Sequence, residues 1–254
     1  DRSRTEQNIV FCNEDLKHIL VVLANVKRGP YLIPKMRKMF HHPERYSEQV
    51  RYAFAQKLIN YMKSSGKIKT EVYGTENLPL EGGYVMYPNH QGKYDALGII
   101  YAHKQPCSFV MDKAKSNSFL VKELVDMLGA KRLELDNVRQ NLTVINEITE
   151  EVKQGKKYIL FSEGGYDRNR NKVQQFKPGS FKCAVRSKTP IVPVALIDSY
   201  KPFNSLEFGT VTTKVVFLPA IYYDEYKDMK TPEIAKLVRQ RIIARMADFA
   251  VDAG

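Results

Sequence analysis

The stretch Tyr84-Val-Met-Tyr-Pro88-Asn89-His90-Gln-Gly-Lys-Tyr94-Asp95 concentrates groups able to move a proton. An apolar run closes at Pro88 and a polar turn delivers His90, with Asp95 five positions further on. At that spacing a carboxylate can reach back to one imidazole nitrogen and fix its tautomer. The other nitrogen is then left to take a proton from a hydroxyl. No serine or cysteine stands beside the pair, so direct attack by a bound alcohol is simpler than a covalent enzyme intermediate. A loop histidine in a structural hydrogen bond has the same spacing, and spacing alone leaves both readings open. Further along, Ile159-Leu-Phe-Ser162-Glu163-Gly164-Gly165-Tyr166 sets a carboxylate just after an apolar run, with glycines behind it. Glycine there removes side-chain bulk at a crevice mouth, although a plain strand-end turn is written the same way.

These residues need a frame. Short β-rich runs fall at 68–73, 84–87, 107–111, 132–135, 158–161, 191–197 and 214–218. Helical patterns lie between several of them, at 95–102, 119–128, 138–152 and 180–187, and a last helix is predicted over 231–249 with Thr231 as its cap. Alternation of this kind predicts an α/β fold, with a mostly parallel central sheet flanked by helices. Ligands in such sheets sit beyond the carboxyl ends of strands, where His90 and Glu163 both fall. Pro193, inside the run 191–197, predicts an edge strand or a bulge.

Ahead of the sheet lies an N-terminal two-helix appendage, read over 15–28 and 43–65 with a break at Gly29-Pro30. In the second helix Val50, Phe54, Leu58 and Tyr61 share helical spacing, interleaved with Arg51, Lys57 and Lys63. Such a basic amphipathic helix lies in a membrane interface or packs its apolar face on the core. The organisation expected is a helical membrane-association segment at 1–66 and an α/β domain at 67–254. The longest apolar stretch, 19–24, is far short of a bilayer span, and no signal-peptide pattern opens the chain. The chain begins at Asp1 rather than methionine, which leaves room for a preceding native segment.

The 254 residues carry 40 basic and 28 acidic side chains, a net charge of +12, which points to an anionic partner. Nucleic acid is not the partner expected, because tyrosine and lysine are spread and no readout motif occurs. With 43% hydrophobic residues the chain can bury a sizeable core. Three scattered cysteines offer neither a disulfide framework nor metal-ligand spacing, and they suit a reducing, cytosol-facing location.

Asn89-His90-x4-Asp95 resembles the first motif of the glycerolipid acyltransferase family typified by the 1-acylglycerol-3-phosphate acyltransferases. Further blocks follow in that family's order. Gly129-Ala-Lys-Arg132-Leu-Glu134-Leu-Asp136-Asn137 occupies the place of the second. The segment from Ile159 to Tyr166 resembles the third, phenylalanine-proline-glutamate-glycine-threonine-arginine, and Phe176-Lys177-Pro178-Gly179 resembles its extension. Ile191-Val-Pro193-Val resembles the fourth.

The resemblance implies acyl transfer from acyl-CoA or acyl-ACP to a lysophospholipid hydroxyl at the cytoplasmic face of a membrane, in contact with anionic lipids. It implies no metal and no cofactor. His90 would act as base with Asp95 as its partner, and acceptor contacts are implied at Asn89, Glu163, Gly164, Gly165, Lys177 and Gly179. Two positions depart from the pattern. The second block lacks its usual arginine, and the third ends in Gly165-Tyr166 in place of threonine and arginine. A phosphate needs cationic donors, so nearby cations are expected to stand in, Arg168 first, with Arg132, Arg139, Arg170 and Lys177 as others. The departures keep open a different acceptor, such as glycerol-3-phosphate, another lysolipid or an amino-acid lipid. A non-catalytic lipid-binding protein is the reading from another class.

Overall fold

The structure, a computed structural model, describes residues 16–251 apart from 118–120, 135–136, 206 and 208. Leu135 and Asp136 of the second block lie outside the described residues, as does the start of the helix expected at 119–128.

Seven strands form one sheet in the order β1-β7-β6-β2-β5-β3-β4. They are β1 (Ile68–Tyr73), β2 (Tyr84–Pro88), β3 (Ser108–Asp112), β4 (Lys131–Leu133), β5 (Lys157–Ile159), β6 (Ile191–Ile197) and β7 (Val211–Phe217). Every residue of β2 and β6 is buried, as continuous apolar runs must be when helices cover both faces of a sheet. All neighbouring pairs are parallel except β6–β7. The outer pair β1–β7 therefore runs against the other five strands. Its amino ends lie at the same edge of the sheet as the carboxyl ends of β2, β5 and β6.

One face of the sheet carries Val85, Tyr87 and Tyr158 against Val144 and Ile148 of a helix at Val138–Lys153, and against Ile234 and Val238 of another at Thr231–Val251. The other face carries Tyr84, Met86 and Val192 against Tyr52 and Ile59 of a helix at Glu48–Ser65, and Ile99 and Ile100 of one at Asp95–Ala102. In chain order the helices are α1 (Leu16–Asn25), α2 (Gly29–His41), α3 (Glu48–Ser65), α4 (Asp95–Ala102), α5 (Lys113–Ser116), α6 (Val121–Met127), α7 (Val138–Lys153), α8 (Lys182–Ser187), α9 (Tyr223–Tyr226) and α10 (Thr231–Val251). The alternation of runs in the sequence thus gives the mixed α/β architecture expected.

Two local expectations change. Gly29-Pro30 does not end the helical region; it opens α2, where proline's missing N–H is one the first turn does not use. Pro193 sits in an interior strand rather than at an edge. Its carbonyl accepts from Leu218 N at 3.0 Å, and the next pairing on that side is Ile191 with Ile221. Between these two pairings the register slips by one residue, so of the two alternatives, edge or bulge, Pro193 lies at the irregular ladder.

On α1, Val21 packs into a cluster with Ile68, Tyr94, Phe203 and Val211. The opposite side of the helix exposes Leu16, Ile19, Leu20 and Leu23, the last two at 46% and 56%. No described helix is long and apolar enough to cross a membrane.

Candidate active site

The chain leaves β2 at Pro88 and is fastened at once. The buried Asn89 side chain donates to Leu196 O at 3.0 Å and accepts from Leu196 N at 2.7 Å, adding a rung between the loop and β6. Gln91 does the same one step on, donating to Leu196 O at 2.7 Å and accepting from Ser199 N at 2.8 Å. His90 is held between two side chains that are both committed to backbone, which fixes where its ring can point.

Asp95 is the first residue of α4 and is fully buried. Its Oδ2 accepts from His90 Nδ1 at 2.7 Å, and from the N–H groups of Gln91 and Gly92. These three donors converge on the one carboxylate oxygen. The Nδ1–H tautomer is thereby set, and Nε2 remains as the basic nitrogen. The His90 side chain is 18% exposed, so the ring is reachable from outside while its partner is not. Phe161 stacks on the imidazole at 4.2 Å between centroids, and Tyr166 meets it edge-on at 4.7 Å.

Glu163 follows β5 and is buried beneath His90. One carboxylate oxygen accepts from His90 N at 3.2 Å, the other from Gln174 Nε2 at 2.8 Å. Burial pushes its acid up to about 7, against the pull of those hydrogen bonds. Gln174 is itself placed by α10, since Arg239 donates to the carbonyls of Val173 and Gln174. Gly164 and Gly165 adopt positive φ of 77° and 151°, and a Cβ on Gly164 would collide with the Lys177 side chain crossing it. These two glycines turn the chain so that Tyr166 reaches back to His90.

The segment after Tyr166 straps over the loop. Arg168 and Arg170 both hold left-handed φ of 48°, and Asn169 between them donates to His90 O at 2.8 Å. Asn171 accepts from Gln91 Nε2 at 2.9 Å and is tied to Asp198. Arg168, expected to contact phosphate, is therefore an exposed residue one position from a His90 contact. Lys177 is exposed beside Gly164, and Gly179 lies in the short helical turn that leads into α8, with open space where a Cβ would be. Arg132 is placed differently. It sits on β4, three strands from β2, with its guanidinium on Asp126 at 2.6 Å and Ser116 at 3.0 Å.

Sequence reasoning did not single out Lys115. It lies just beyond the carboxyl end of β3, and its ammonium is 5.3 Å from the Tyr166 ring centroid. Its position past a parallel strand was the available signal.

The Acyltransferase family profile matches residues 69–197, from β1 to the end of β6. The chain is 24% identical over 189 residues to 1-acyl-sn-glycerol-3-phosphate acyltransferase alpha of Ovis aries, covering 73% of this chain but 65% of that one. It is 21% identical over 186 residues to the 1-acyl-sn-glycerol-3-phosphate acyltransferase of Borreliella burgdorferi, covering 72% and 74%. Among solved structures, the LPA acyltransferase PlsC of Thermotoga maritima superposes with a TM-score of 0.71 at 18% identity, covering 92% of this chain and 97% of that one. That superposition establishes a shared fold, and the profile match spans half of the sequence. With His90, Asp95 and Glu163 gathered inside the matched region, the chain belongs to the acyltransferase family.

Proposed function

We propose that this protein transfers a fatty acyl group from an acyl thioester, acyl-CoA or acyl-ACP, to the free hydroxyl of 1-acyl-glycerol-3-phosphate, giving phosphatidic acid. The observation carrying this reading is the 2.7 Å contact of His90 Nδ1 with a buried Asp95, on a side chain that is 18% exposed, which leaves Nε2 as the nitrogen not engaged by the acid. Nε2 takes the proton of the lysolipid hydroxyl as that oxygen attacks the thioester carbonyl. Asp95 stabilises the imidazolium, with help from the stacked face of Phe161. The tetrahedral intermediate expels the thiolate, which recovers the proton from His90. A positioned base of this kind contributes roughly 10²–10⁴-fold. Most of the remaining acceleration comes from holding both substrates in line.

Glu163 acts by positioning, through the His90 amide. We assign the cationic donors for the acceptor phosphate to Lys115, beside the Tyr166 ring, to Lys177, beside Gly164, and to Arg168, in place of the arginine that Tyr166 replaces. The surface of α1 supports a location at a membrane. Its exposed face of Leu16, Ile19, Leu20 and Leu23 lies on the far side of the helix from Val21, which packs on Tyr94, next to Asp95. A bilayer covering that face brings lipid to the crevice edge, and we place the protein as a peripheral or monotopic enzyme on the cytoplasmic leaflet, in contact with anionic lipids. In this reading the helices before residue 67 are the membrane-association segment.

Tyr166 favours one second reading within the same chemistry, namely a lysolipid or other acceptor with a headgroup that is not a bare phosphate. A product screen by mass spectrometry, with one labelled thioester and a mixture of lysolipids, glycerol-3-phosphate and amino-acid lipids, separates the two. Phosphatidic acid as the main product supports the first. A phosphate-free acceptor as the preferred substrate defeats it.

A further inference from the structure

A cleft of about 310 Å³ opens away from His90, lined by Asn60, Lys63, Ser64, Lys67, Lys69 and Thr210 around Ile68. It sits where α3 ends and β1 and β7 begin. Three lysines line it and no carboxylate does. Lys69 is paired with Glu71 at 2.8 Å, outside the lining. Lys63 differs: it is 8% exposed, its ammonium stands over the Tyr101 ring, and burial lowers its pKa. Among the described residues no acid forms an ion pair with Lys63 or Lys67. A half-buried ammonium backed by an aromatic ring has no counter-charge of its own, and an anion in the cleft supplies one. Lys67 holds a left-handed φ of 50°, a conformation glycine adopts more easily, so a long cationic side chain is carried at a strained position. Of the last carbonyls of α3, Met62 O and Ser64 O are already engaged, accepting from Gly66 N and Lys67 N.

The topology gives the cleft its setting. Because β1 and β7 run against the other strands, their amino ends lie at the sheet edge that also carries His90. Three strand spacings, about 14 Å, separate β1 from β2. The helix α1 borders the cleft, with Asn25 Nδ2 on Ser65 Oγ at 2.6 Å and Val21 against Gly66. The apolar face of α1, the catalytic crevice and the lysine cleft thus share one edge.

We propose that this cleft binds the phosphate of a second lipid headgroup, a phosphomonoester in the same leaflet that is not itself acylated. It acts as an anionic-lipid anchor beside the α1 face and holds the crevice toward the bilayer. The proposal rests on the reading of that face as membrane-bound.

The test compares the wild type, the double variant Lys67→Gln/Lys69→Gln, Lys63→Met, and the control Lys153→Gln/Lys188→Gln, which removes as much charge as the double variant at the opposite edge of the sheet. Each is sedimented with phosphatidylcholine vesicles, with and without one-fifth phosphatidic acid, and its melting temperature is read with and without inorganic phosphate. The cleft variants should lose roughly tenfold or more of their partition onto phosphatidic acid vesicles, and the control less than threefold, with partition onto neutral vesicles unchanged in all. Equal losses in cleft and control variants would overturn the proposal, because they would mean diffuse attraction. A melting shift by phosphate that needs the cleft lysines, without any vesicle effect, assigns the site to a soluble phosphate compound and overturns the headgroup assignment. Wild type that ignores phosphatidic acid overturns it as well. Wild type that binds neither kind of vesicle defeats the membrane reading itself.

Discussion

Replacing Asp95 by asparagine removes one negative charge and almost no volume, at a position where the new side chain has little choice of orientation. Asp95 Oδ2 faces two backbone donors, Gln91 N and Gly92 N, as well as His90 Nδ1. An amide NH2 placed there would oppose all three, so the asparagine oxygen takes that position and the Nδ1–H tautomer survives. The loss then reports charge stabilisation alone. With charge centres about 4 Å apart and an effective dielectric near 20, the carboxylate stabilises the imidazolium by about 4 kcal/mol. That corresponds to roughly a 10³-fold fall in kcat. The assay is thiol release from an acyl thioester at saturating lysophosphatidate, with melting temperature and vesicle partition measured on the same preparation. Both should stay near wild type. A fall in kcat below tenfold in a folded variant would refute the idea that an imidazolium forms in the limiting step.

Other outcomes follow from groups that titrate abnormally and from the surface of α1. Glu163 is pushed up to about 7 from an ordinary 4.5, so the fold favours its protonated form and stability from this group falls as pH rises through that window. Relative to wild type, Glu163→Gln should gain about 3 kcal/mol between pH 4.5 and 7, read by denaturant melts at several pH values, and a flat difference would contradict it. His103 has the opposite sign. It is buried between the Tyr84 hydroxyl at 2.6 Å and Gln105 O at 2.6 Å, and burial lowers it to about 4. Its neutral form loses stability as pH drops from 6.5 toward 4, so the acid limb of His103→Gln should be shallower by about 3 kcal/mol, and an unchanged limb would contradict it. The two slopes nearly cancel in the wild type, and each emerges only when the other is removed. On α1, Leu20→Ser/Leu23→Ser should weaken partition onto neutral vesicles by about 30-fold, from roughly 1 kcal/mol per half-exposed leucine, with activity on detergent-dispersed substrate retained. Unchanged partition would detach that face from the membrane.

Much of this architecture was legible because local pattern carries it. The helix expected at 95–102 is α4, and that expected at 138–152 is α7, whose Asn137 side chain caps it by accepting from Gln140 N. The run ending at Pro88 is β2, with His90 just past its carboxyl end as strand–helix alternation predicts. What pattern cannot carry is long-range pairing. Nothing near Ile68 or Val211 announces that those strands run against the rest, yet that reversal puts their starts beside the crevice. The same limit hid the setting of the site. Tyr166 read as a lost arginine, and its contact with His90 depends on the backbone turn at Gly164 and Gly165. Arg132 read as a spare cation, but Asp126, six residues earlier, holds it on β4. Asn89 read as a motif residue beside substrate, whereas both ends of its amide face the backbone of Leu196.

The most direct trial of the chemistry is His90→Ala, assayed for labelled acyl transfer to lysophosphatidate with protein that still melts cooperatively and still sediments with vesicles. Loss of the ring's Nε2 should lower turnover at saturating substrates by 10²–10⁴-fold, with vesicle partition unchanged. Turnover within threefold of wild type in that protein would mean that another group takes the hydroxyl proton.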